Sequence, residues 1–242
     1  MKHICRTKPI DVLFLPLGVP QCRGVDIGIN IIYNIYTNVA EEGYAMNEKE
    51  LFHQLAEQGG NIITTKAAEA AGISRAMLSK MCKAGRIQRI AKGQYMLVDD
   101  MPDELLSISL RTENLVFSHE TALFLHGISD RTPFEHSVTA PANRVPSPAL
   151  REECKVYYIK PELFDLGQTN MTTAFGNEVP CYDLERTVCD IIRSRNKMGT
   201  ETFLAALKLY AASSKKDLNR LNSYAKKMSL TNVVRQYLEV LL

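Results

Sequence analysis

The stretch GISRAMLSKMCKAGRIQRIAKGQ, residues 72–94, decides the fold of the amino-terminal part of this chain. It contains six basic residues and no acidic residue, although the whole protein of 242 residues has a formal net charge of only +2. Ser74 can cap a helix that runs to about Ala84, and two short strands joined by a Lys-Gly turn follow it. The stretch therefore predicts the third helix and the hairpin of a winged helix-turn-helix.

The helix predicted after Ser74 has two distinct faces. Its apolar residues recur at three- and four-residue spacing and are expected to face the core; they are Met77, Leu78, Met81 and Cys82. The other face carries Arg75, Ala76, Ser79, Lys80 and Lys83. After Gly85, residues 86–90 alternate, residues 91–93 turn and residues 94–98 return as a strand. The outward side chains of the helix are therefore available to a partner.

Two helices are predicted before this one. Asn47 can cap the first helix, which stops at Gly59-Gly60. The apolar residues on its inner side are Leu51, Phe52, Leu55 and Ala56. Thr64 or Thr65 opens a short alanine-rich helix through Ala71, which leaves the tight spacing of a helix-turn-helix before the third helix.

This arrangement predicts a surface that binds double-stranded DNA. An α-helix fits the major groove, where arginine and lysine donate to guanine, and Arg89 and Lys92 of the hairpin can reach phosphates or the minor groove. The candidate DNA-binding residues are Thr65, Ser74, Arg75, Ala76, Ser79, Lys80, Lys83, Arg86, Arg89 and Lys92. A basic face that is merely solvated, or a winged helix that docks proteins, is the alternative.

Charge is distributed unevenly along the chain. Residues 46–100 contain eight basic and six acidic residues, residues 101–189 seven and thirteen, and residues 190–242 ten and four. An acidic middle and a basic tail suit a protein with more than one charged partner, although solvated faces alone produce the same pattern. Six cysteines show no C-x-x-C pair and no zinc-like spacing, which predicts reduced thiols and a cytoplasmic location.

Residues 1–45 show no helical or strand periodicity. Asp11 and three prolines interrupt an apolar stretch at residues 9–20, and no small-residue cleavage site follows it. The codons for Glu41-Glu42-Gly43 can spell a purine-rich ribosome-binding sequence at a suitable distance before Met46. We therefore expect residues 1–45 to be translated upstream DNA and Met46 to be the true start, with a disordered leader as the alternative. The intact mass of the native protein distinguishes the two.

From residue 101 onward, the sequence predicts a mixed α/β domain. Ser118 is expected to cap a helix that closes at Gly127, with Leu123 and Phe124 facing inward. Four strands are predicted, at residues 137–140, 155–160, 171–175 and 178–182. Gly176-Asn177 is typical of the turn of a hairpin between the last two strands.

The chain is predicted to end in a helical tail that covers residues 196–242. A helix that opens at Asp183 precedes it, with Leu184, Val188, Ile191 and Ile192 as its apolar stripe. Thr200, Asp217 and Thr231 are each placed as caps of a further helix. The buried faces expected for these helices are Leu204 and Leu207, then Leu218, Leu221 and Ala225, then Val234, Tyr237, Leu238 and Leu241. The expected fold class is α+β, with a winged-helix domain at residues 46–100 and a second domain at residues 101–242.

Two local patterns are compatible with metal chemistry, and both are weak. His119 and His126 lie seven residues apart, too far for the i, i+4 spacing of a shared metal, so hydrogen-bonded roles are expected. Glu153-Cys154-Lys155 matches the E-x-K half of a nuclease metal site, with Asp130 upstream, but a solvated charge pair before a strand explains it more simply. No P-loop, serine-hydrolase or zincin motif occurs. We expect no catalytic activity, no cofactor and no metal.

Two further segments follow the predicted winged helix in a specific order. They are SHETALFLHGISDRTPFEHSVTAP at residues 118–141 and VPCYDLERTVCDIIR at residues 179–193. Together with the winged-helix start they resemble the AbiEi family of antitoxins from type IV toxin-antitoxin systems, over roughly residues 46–242. The resemblance implies an amino-terminal domain that represses its own operon at inverted repeats. It also implies a carboxyl-terminal domain that counteracts a nucleotidyltransferase-type toxin of an abortive-infection system, without requiring a tight complex.

Several basic residues of the tail are candidates for an antitoxin surface that contacts a nucleic acid or an acidic protein. They are Arg193, Lys215, Lys216, Arg220, Lys226 and Lys227. A solvated helical face is the alternative for all of them. Two other functions stay open: a winged-helix regulator without a toxin partner, and a metal-dependent nuclease. A neighbouring gene for a nucleotidyltransferase-like protein favours the antitoxin, and its absence favours the plain regulator.

Overall fold

A computed structural model of the chain describes residues 48–129 and 131–238. The predictions for residues 1–45, for the start at Met46 and for the Asn47 cap lie outside the described residues, as do those for Asp130 and Leu241. Within the described ranges the fold is mixed α+β, with ten α-helices and eight strands in two sheets. The expected α+β class is confirmed.

The amino-terminal part combines three helices with a small antiparallel sheet in which β3 lies between β1 and β2. Its elements are α1 (Glu48–Gln58), β1 (Ile63–Thr64), α2 (Thr65–Ala70), α3 (Arg75–Lys83), β2 (Ile87–Ala91) and β3 (Gln94–Leu97). The three helices and the hairpin were all predicted, with ends that agree within about two residues.

Apolar side chains from all three helices meet in one core beneath α3. The buried members are Phe52, Leu55, Ala56, Ile63, Ala68, Ile73, Leu78, Met81 and Ile87. The predicted inner face of α1 is confirmed, with Leu51 only half-buried at its edge. Residue 59, directly after α1, is restricted to glycine because a Cβ there would lie 2.2 Å from the carbonyl oxygen of Ile62.

The carboxyl-terminal part begins with a five-stranded mixed sheet and ends with helices. Its elements are α4 (Glu104–Ser109), β4 (Val116–Phe117), α5 (His119–Leu125), β5 (His136–Pro141), α6 (Pro148–Glu153), β6 (Cys154–Ile159), β7 (Gln168–Thr172), β8 (Glu178–Tyr182), α7 (Leu184–Arg193), α8 (Thr200–Ala212), α9 (Leu218–Lys227) and α10 (Thr231–Leu238). The strand order is β6-β5-β4-β8-β7, and the pairs β5/β6 and β4/β8 are parallel.

The sequence pattern did not predict β4, which lies at the centre of this sheet. Its two residues, Val116 and Phe117, are fully buried and too few to show an alternation. The short helices α4 and α6 were also not predicted, because six residues make fewer than two turns and show no helical period.

The position predicted for β7 was wrong by three residues. The strand covers Gln168–Thr172, and Thr173 to Gly176 form the turn that was expected at Gly176-Asn177. β7 is an edge strand with mostly exposed polar residues, so it lacks the alternation on which the prediction rested.

Several predicted caps and buried faces were also wrong. Ser118 does occupy the N-cap position of α5, but its side chain makes no capping hydrogen bond, and Phe124 is only half-buried. Helix α8 begins at Thr200 itself, after Gly199, and Thr231 is likewise the first residue of α10. Leu204 and Leu218 are exposed. Leu207 of α8 is buried as predicted, and the rest of the buried face of this helix is formed by Phe203, Ala206 and Tyr210.

Helix α7 is the central element of the carboxyl-terminal core. Asp183 caps it by accepting a hydrogen bond from the Arg186 backbone amide at 2.8 Å, as predicted, and the expected apolar stripe is buried. Inside the core, Arg186 pairs with Asp190 at 3.1 Å and donates two hydrogen bonds to carbonyl oxygens of Leu163 and Leu166. Helices α8, α9 and α10 contact this helix, which therefore links the sheet to the tail.

The described helices include none that is both long enough and apolar enough to cross a membrane.

Candidate nucleic-acid interface

Helix α3 presents one buried face and one exposed face, as its sequence predicts. The Ser74 hydroxyl accepts a hydrogen bond from the Met77 backbone amide at 3.2 Å and caps the helix. Leu78 and Met81 are buried in the core, while the predicted outer residues are all exposed. The cap and the two core side chains therefore fix which face of α3 is turned to solvent.

The turn between α2 and α3 is held by local hydrogen bonds. The Thr64 hydroxyl accepts from the Ala67 amide at 3.1 Å and caps α2, which resolves the choice between Thr64 and Thr65. Gly72 has a φ of +82°, in the left-handed region that glycine adopts without strain. The buried Ile73 side chain then anchors the start of α3 to the core of the three helices.

The β2–β3 hairpin lies directly after α3 and has a two-residue turn, Lys92-Gly93. The register shifts between Arg89 and Ala91, so Ile90 is the extra residue of a β-bulge. Arg89 and Lys92 are exposed on the hairpin, as predicted. The hairpin therefore carries basic side chains beside the exposed face of α3.

Nine of the ten candidate DNA-binding residues are exposed, and only Thr65 is half-buried. The exposed residues are Ser74, Arg75, Ala76, Ser79, Lys80, Lys83, Arg86, Arg89 and Lys92. Their exposure agrees with a binding role, but whether they contact DNA stays a prediction.

Besides Ser74, which caps α3, three of these ten candidates already have a partner within the protein. Arg75 Nε lies 2.6 Å from a carboxylate oxygen of Glu69, so part of its charge is neutralised. Both the amide and the hydroxyl of Thr65 donate to the Gly93 carbonyl oxygen, at 2.8 and 3.2 Å. Arg89 Nε donates to the Ala91 carbonyl oxygen at 3.2 Å, which leaves its other two nitrogens available.

Four basic side chains of this surface form neither an ion pair nor a side-chain hydrogen bond with any residue that the structure describes. They are Lys80, Lys83, Arg86 and Lys92. An unpaired, exposed cation gives up little interaction energy when it binds a phosphate, because no partner within the protein has to be replaced. These four residues are therefore the strongest candidates of the set.

The basic residues proposed for an antitoxin surface differ in their surroundings. Arg193, Lys215, Lys226 and Lys227 are exposed. Lys216 is half-buried, and its ammonium donates to the Ser213 carbonyl oxygen at 3.3 Å. Arg220 lies within 3.7 to 3.9 Å of the carboxylates of Asp183, Glu185 and Asp217. Arg220 is therefore the least available of the six.

The residues of the E-x-K pattern are held apart by separate partners. Glu153, at the end of α6, pairs with Arg111, whereas Lys155 on β6 donates to Glu120 at 3.3 Å. Lys155 also donates to the Lys197 carbonyl oxygen at 3.3 Å. Because Glu153 and Lys155 each have their own counter-ion, their arrangement does not support a shared metal site.

His119 and His126 both make hydrogen bonds, as predicted. His126 Nε2 lies 2.8 Å from the Tyr182 carbonyl oxygen. His119 is buried, with Nδ1 2.9 Å from the Ser118 hydroxyl and Nε2 3.0 Å from the Ser194 hydroxyl. Burial and the charge of Lys155 lower the pKa of His119 well below its ordinary value of 6.5. Histidine 119 is therefore neutral inside the fold.

A cavity of about 550 Å³ lies between the loop after α5 and helix α8. Three polar residues of its wall, Glu120, Ser137 and Lys155, bond to one another at 2.8 and 3.3 Å. Phe134 is fully exposed at its rim. These three polar side chains therefore satisfy one another within the protein.

Sequence reasoning missed two residues that bear on this interface. Glu69 precedes the acid-free stretch and pairs with Arg75. The signal for this pair was an acidic residue six positions before a basic one, with a turn between them. Gln94 was assigned only to a strand, yet its side chain is buried against Ser107. The local pattern carries no signal for the second contact, because Ser107 lies in a helix that was not predicted.

Comparisons with known proteins bear on the fold and on the family. The chain is similar to the crystal structure of the RV2827C protein from Mycobacterium tuberculosis, with a TM-score of 0.52 and 14% sequence identity. The similarity covers 84% of this chain and 77% of that one, and at this identity it concerns the fold alone. No curated protein matches the sequence.

The amino-terminal part also matches a family described as transcriptional regulator, AbiEi antitoxin, over residues 53–98. The matched segment extends from within α1 to the end of the hairpin and contains every candidate DNA-binding residue. Over residues 53–98 the chain is similar to the AbiEi antitoxin transcriptional regulators, in agreement with the resemblance drawn from the sequence.

Proposed function

We propose that this protein is a DNA-binding autorepressor and the antitoxin of a type IV toxin-antitoxin system. The observation that carries the first half is the exposed face of α3, whose Lys80 and Lys83 have no partner among the described residues and lie next to a basic hairpin. The family match supports both halves, because it describes a transcriptional regulator that is an antitoxin.

In this proposal residues 46–100 form a winged helix-turn-helix domain that binds inverted repeats in the promoter of its own operon. Helix α3 enters the major groove, where Lys80 and Lys83 can donate to base edges. The hairpin residues Arg89 and Lys92, together with Arg86, bind phosphates. Each phosphate contact releases counterions, so affinity falls steeply as salt rises.

Mobility-shift titration on the native promoter tests this assignment. The variant Lys80→Ala/Lys83→Ala/Arg89→Ala should lose binding, because it removes both proposed groove contacts and one phosphate contact. Lys160→Ala, an exposed lysine after β6 and outside the surface, is the matched control and should bind as the wild type does. Unchanged binding by the triple variant would defeat the proposal.

For the second half, we propose that residues 101–242 counteract a nucleotidyltransferase-like toxin encoded beside this gene, without a stable complex. This half rests on the family match and on the exposed basic residues of the tail, chiefly Lys226 and Lys227. The proposed location is the cytoplasm, where promoter and toxin would both be found, and no catalytic role is proposed.

Co-expression with the adjacent gene tests the antitoxin role. If that gene alone stops growth and this protein restores it, the antitoxin role stands. If the adjacent gene is harmless, the protein is a winged-helix regulator without a toxin partner.

A further inference from the structure

The side chain of Gln94 is buried although it follows the exposed turn of the hairpin. Gln94 is the first residue of β3, and only 3% of its surface is exposed, whereas Lys92, two residues earlier, is exposed. A buried amide that finds no hydrogen-bond partners is costly, so the surroundings of Gln94 must supply them.

The partners of Gln94 come from α4, beyond the end of the proposed DNA-binding domain. The Gln94 amide nitrogen donates to the Ser107 carbonyl oxygen at 2.9 Å. In return, the Ser107 hydroxyl donates to the Gln94 amide oxygen at 2.6 Å. Ser107 is itself buried, and its helix neighbours Leu106 and Ile108 belong to the core of the five-stranded sheet. The hairpin is therefore hydrogen-bonded to the carboxyl-terminal part.

Apolar contacts reinforce this attachment. Ile90, the extra residue of the bulge, packs against the cluster that contains Leu106 and Phe117. Ile62, just before β1, is a buried member of the same cluster. A bulge redirects side chains along a strand. In β2 the bulge allows Ile90 to pack against the core of the five-stranded sheet, while the neighbouring Arg89 stays exposed.

The hairpin turn is also fixed on its other side. The Gly93 carbonyl oxygen accepts two hydrogen bonds from Thr65, at the start of α2. The turn thus lies between α2, which leads into α3, and α4, which belongs to the second core. Its position relative to α3 depends on both attachments.

We propose that Gln94 is a positioning residue for the DNA binding proposed above, on which this inference rests. By bonding to Ser107 it holds the hairpin, and with it Arg89 and Lys92, in register with α3. The carboxyl-terminal part is thereby a structural component of the DNA-binding unit, and Gln94 itself touches no DNA. Groups that are held in place lose less entropy on binding than groups on a free hairpin.

Gln94→Met tests the role of these hydrogen bonds, because methionine keeps the length of the side chain and removes both bonds. Ser109→Ala is the control, since it removes a hydroxyl from the same helix that bonds only to the Leu106 carbonyl oxygen. We expect Gln94→Met to weaken promoter binding about tenfold and to lower the salt slope by about 1 to 2, as expected when one or two phosphate contacts are lost. Ser109→Ala should leave both unchanged.

The same change in an Arg89→Ala/Lys92→Ala background distinguishes positioning from a general loss of structure. If Gln94 acts through these two cations, Gln94→Met should lower the remaining affinity by less than about twofold in a protein that already lacks both of them. An equal loss in both backgrounds, or no loss in either, would overturn the proposal.

Amide hydrogen exchange in the free protein gives a readout that needs no DNA. Gln94→Met should accelerate exchange in β2 and β3 but not in α3. Unchanged exchange in the hairpin also overturns the proposal. If the wild-type protein binds no promoter DNA, the proposed function fails and with it the role of Gln94 in DNA binding, while the exchange result decides separately whether Gln94 anchors the hairpin.

Discussion

His119 combines three unusual properties in one residue. It adopts a φ of +49°, is almost completely buried, and stacks on the ring of Tyr157 with 3.4 Å between centroids and 10° between planes. A left-handed backbone is unfavourable for histidine, so its contacts must hold it in place. The hydrogen bonds to Ser118 and Ser194 link it to β4 and to the end of α7. His119 therefore stabilises the junction between the sheet and α7 in its neutral form.

The lowered pKa of His119 predicts a loss of stability in acid. Below pH 6.5 the unfolded chain gains a proton on this residue and the folded chain does not, so the stability present above that pH is lost as pH falls. The loss should approach about 1.4 kcal/mol for each pH unit, measured by urea unfolding.

The variant His119→Asn tests the assignment, because asparagine tolerates the left-handed backbone. It should be less stable at pH 7.5, but its free energy of unfolding should depend less on pH. His53→Gln, on the exposed side of α1, is the control and should keep the wild-type pH dependence.

Glu69 is an acidic residue beside the proposed DNA surface, and removing its charge should strengthen DNA binding. Its pair with Arg75 is exposed on both sides, so Glu69→Gln should change the free energy of unfolding by less than about 1 kcal/mol. Release of Arg75 should increase promoter affinity several-fold. It should also steepen the salt slope by about 1, as expected for one additional phosphate contact. Glu57→Gln removes the same charge from an exposed position on α1 and should change neither. Weaker binding by Glu69→Gln would instead mean that the pair orients Arg75.

At the scale of elements, α3 and the hairpin should contribute to DNA binding in different ways. Lys80→Ala and Lys83→Ala should each cost roughly 1 to 3 kcal/mol of promoter binding and relax sequence specificity, if they contact bases. Arg89→Ala and Lys92→Ala should weaken binding to all sequences alike and each lower the salt slope by about 1. Titrations of promoter and scrambled DNA at several salt concentrations separate the two patterns. A uniform loss for all four variants would place α3 outside the groove.

The elements that the sequence predicted are those whose signals are local. Ser74, Asp183 and Asp217 each accept the hydrogen bond of the amide three residues onward, so their cap function can be read from neighbouring residues. The alternation of the hairpin is local as well. The outward face of α3 followed from its period, and the structure exposes the residues expected there.

The features that the sequence did not predict depend on distant partners. β4 is a strand only because β5 and β8 pair with its two residues. The burial of Gln94 depends on Ser107, thirteen positions away in an unpredicted helix. Thr65 was expected at the DNA, whereas its hydrogen bonds to Gly93 depend on how the hairpin folds back onto α2. Such contacts are decided by tertiary packing, which no local pattern contains.

For the whole molecule, the two proposed activities use surfaces at opposite ends of the described chain. The contacts of Gln94, Ile62 and Ile90 join the amino-terminal part to the core of the five-stranded sheet. Helix α7 then connects that sheet to the tail helices. The exposed lysines of α9 therefore belong to a different element and a different core from the basic face of α3.

Repression and toxin neutralisation should accordingly be separable by substitution. Lys80→Ala/Lys83→Ala should release a promoter reporter but still restore growth when co-expressed with the adjacent gene. Lys226→Glu/Lys227→Glu should fail to restore growth while repression is kept, because it reverses two exposed charges in the last turn of α9.

Reversing charge at a helix carboxyl terminus also costs up to about 1 kcal/mol of folding free energy per residue, so unfolding must be measured beside activity. Lys226→Gln/Lys227→Gln, which removes the charge without that repulsion, keeps the test independent of folding. Loss of neutralisation by the α3 variant would show that the antitoxin acts through the DNA-binding surface, and full neutralisation by both tail variants would remove these lysines from the antitoxin surface.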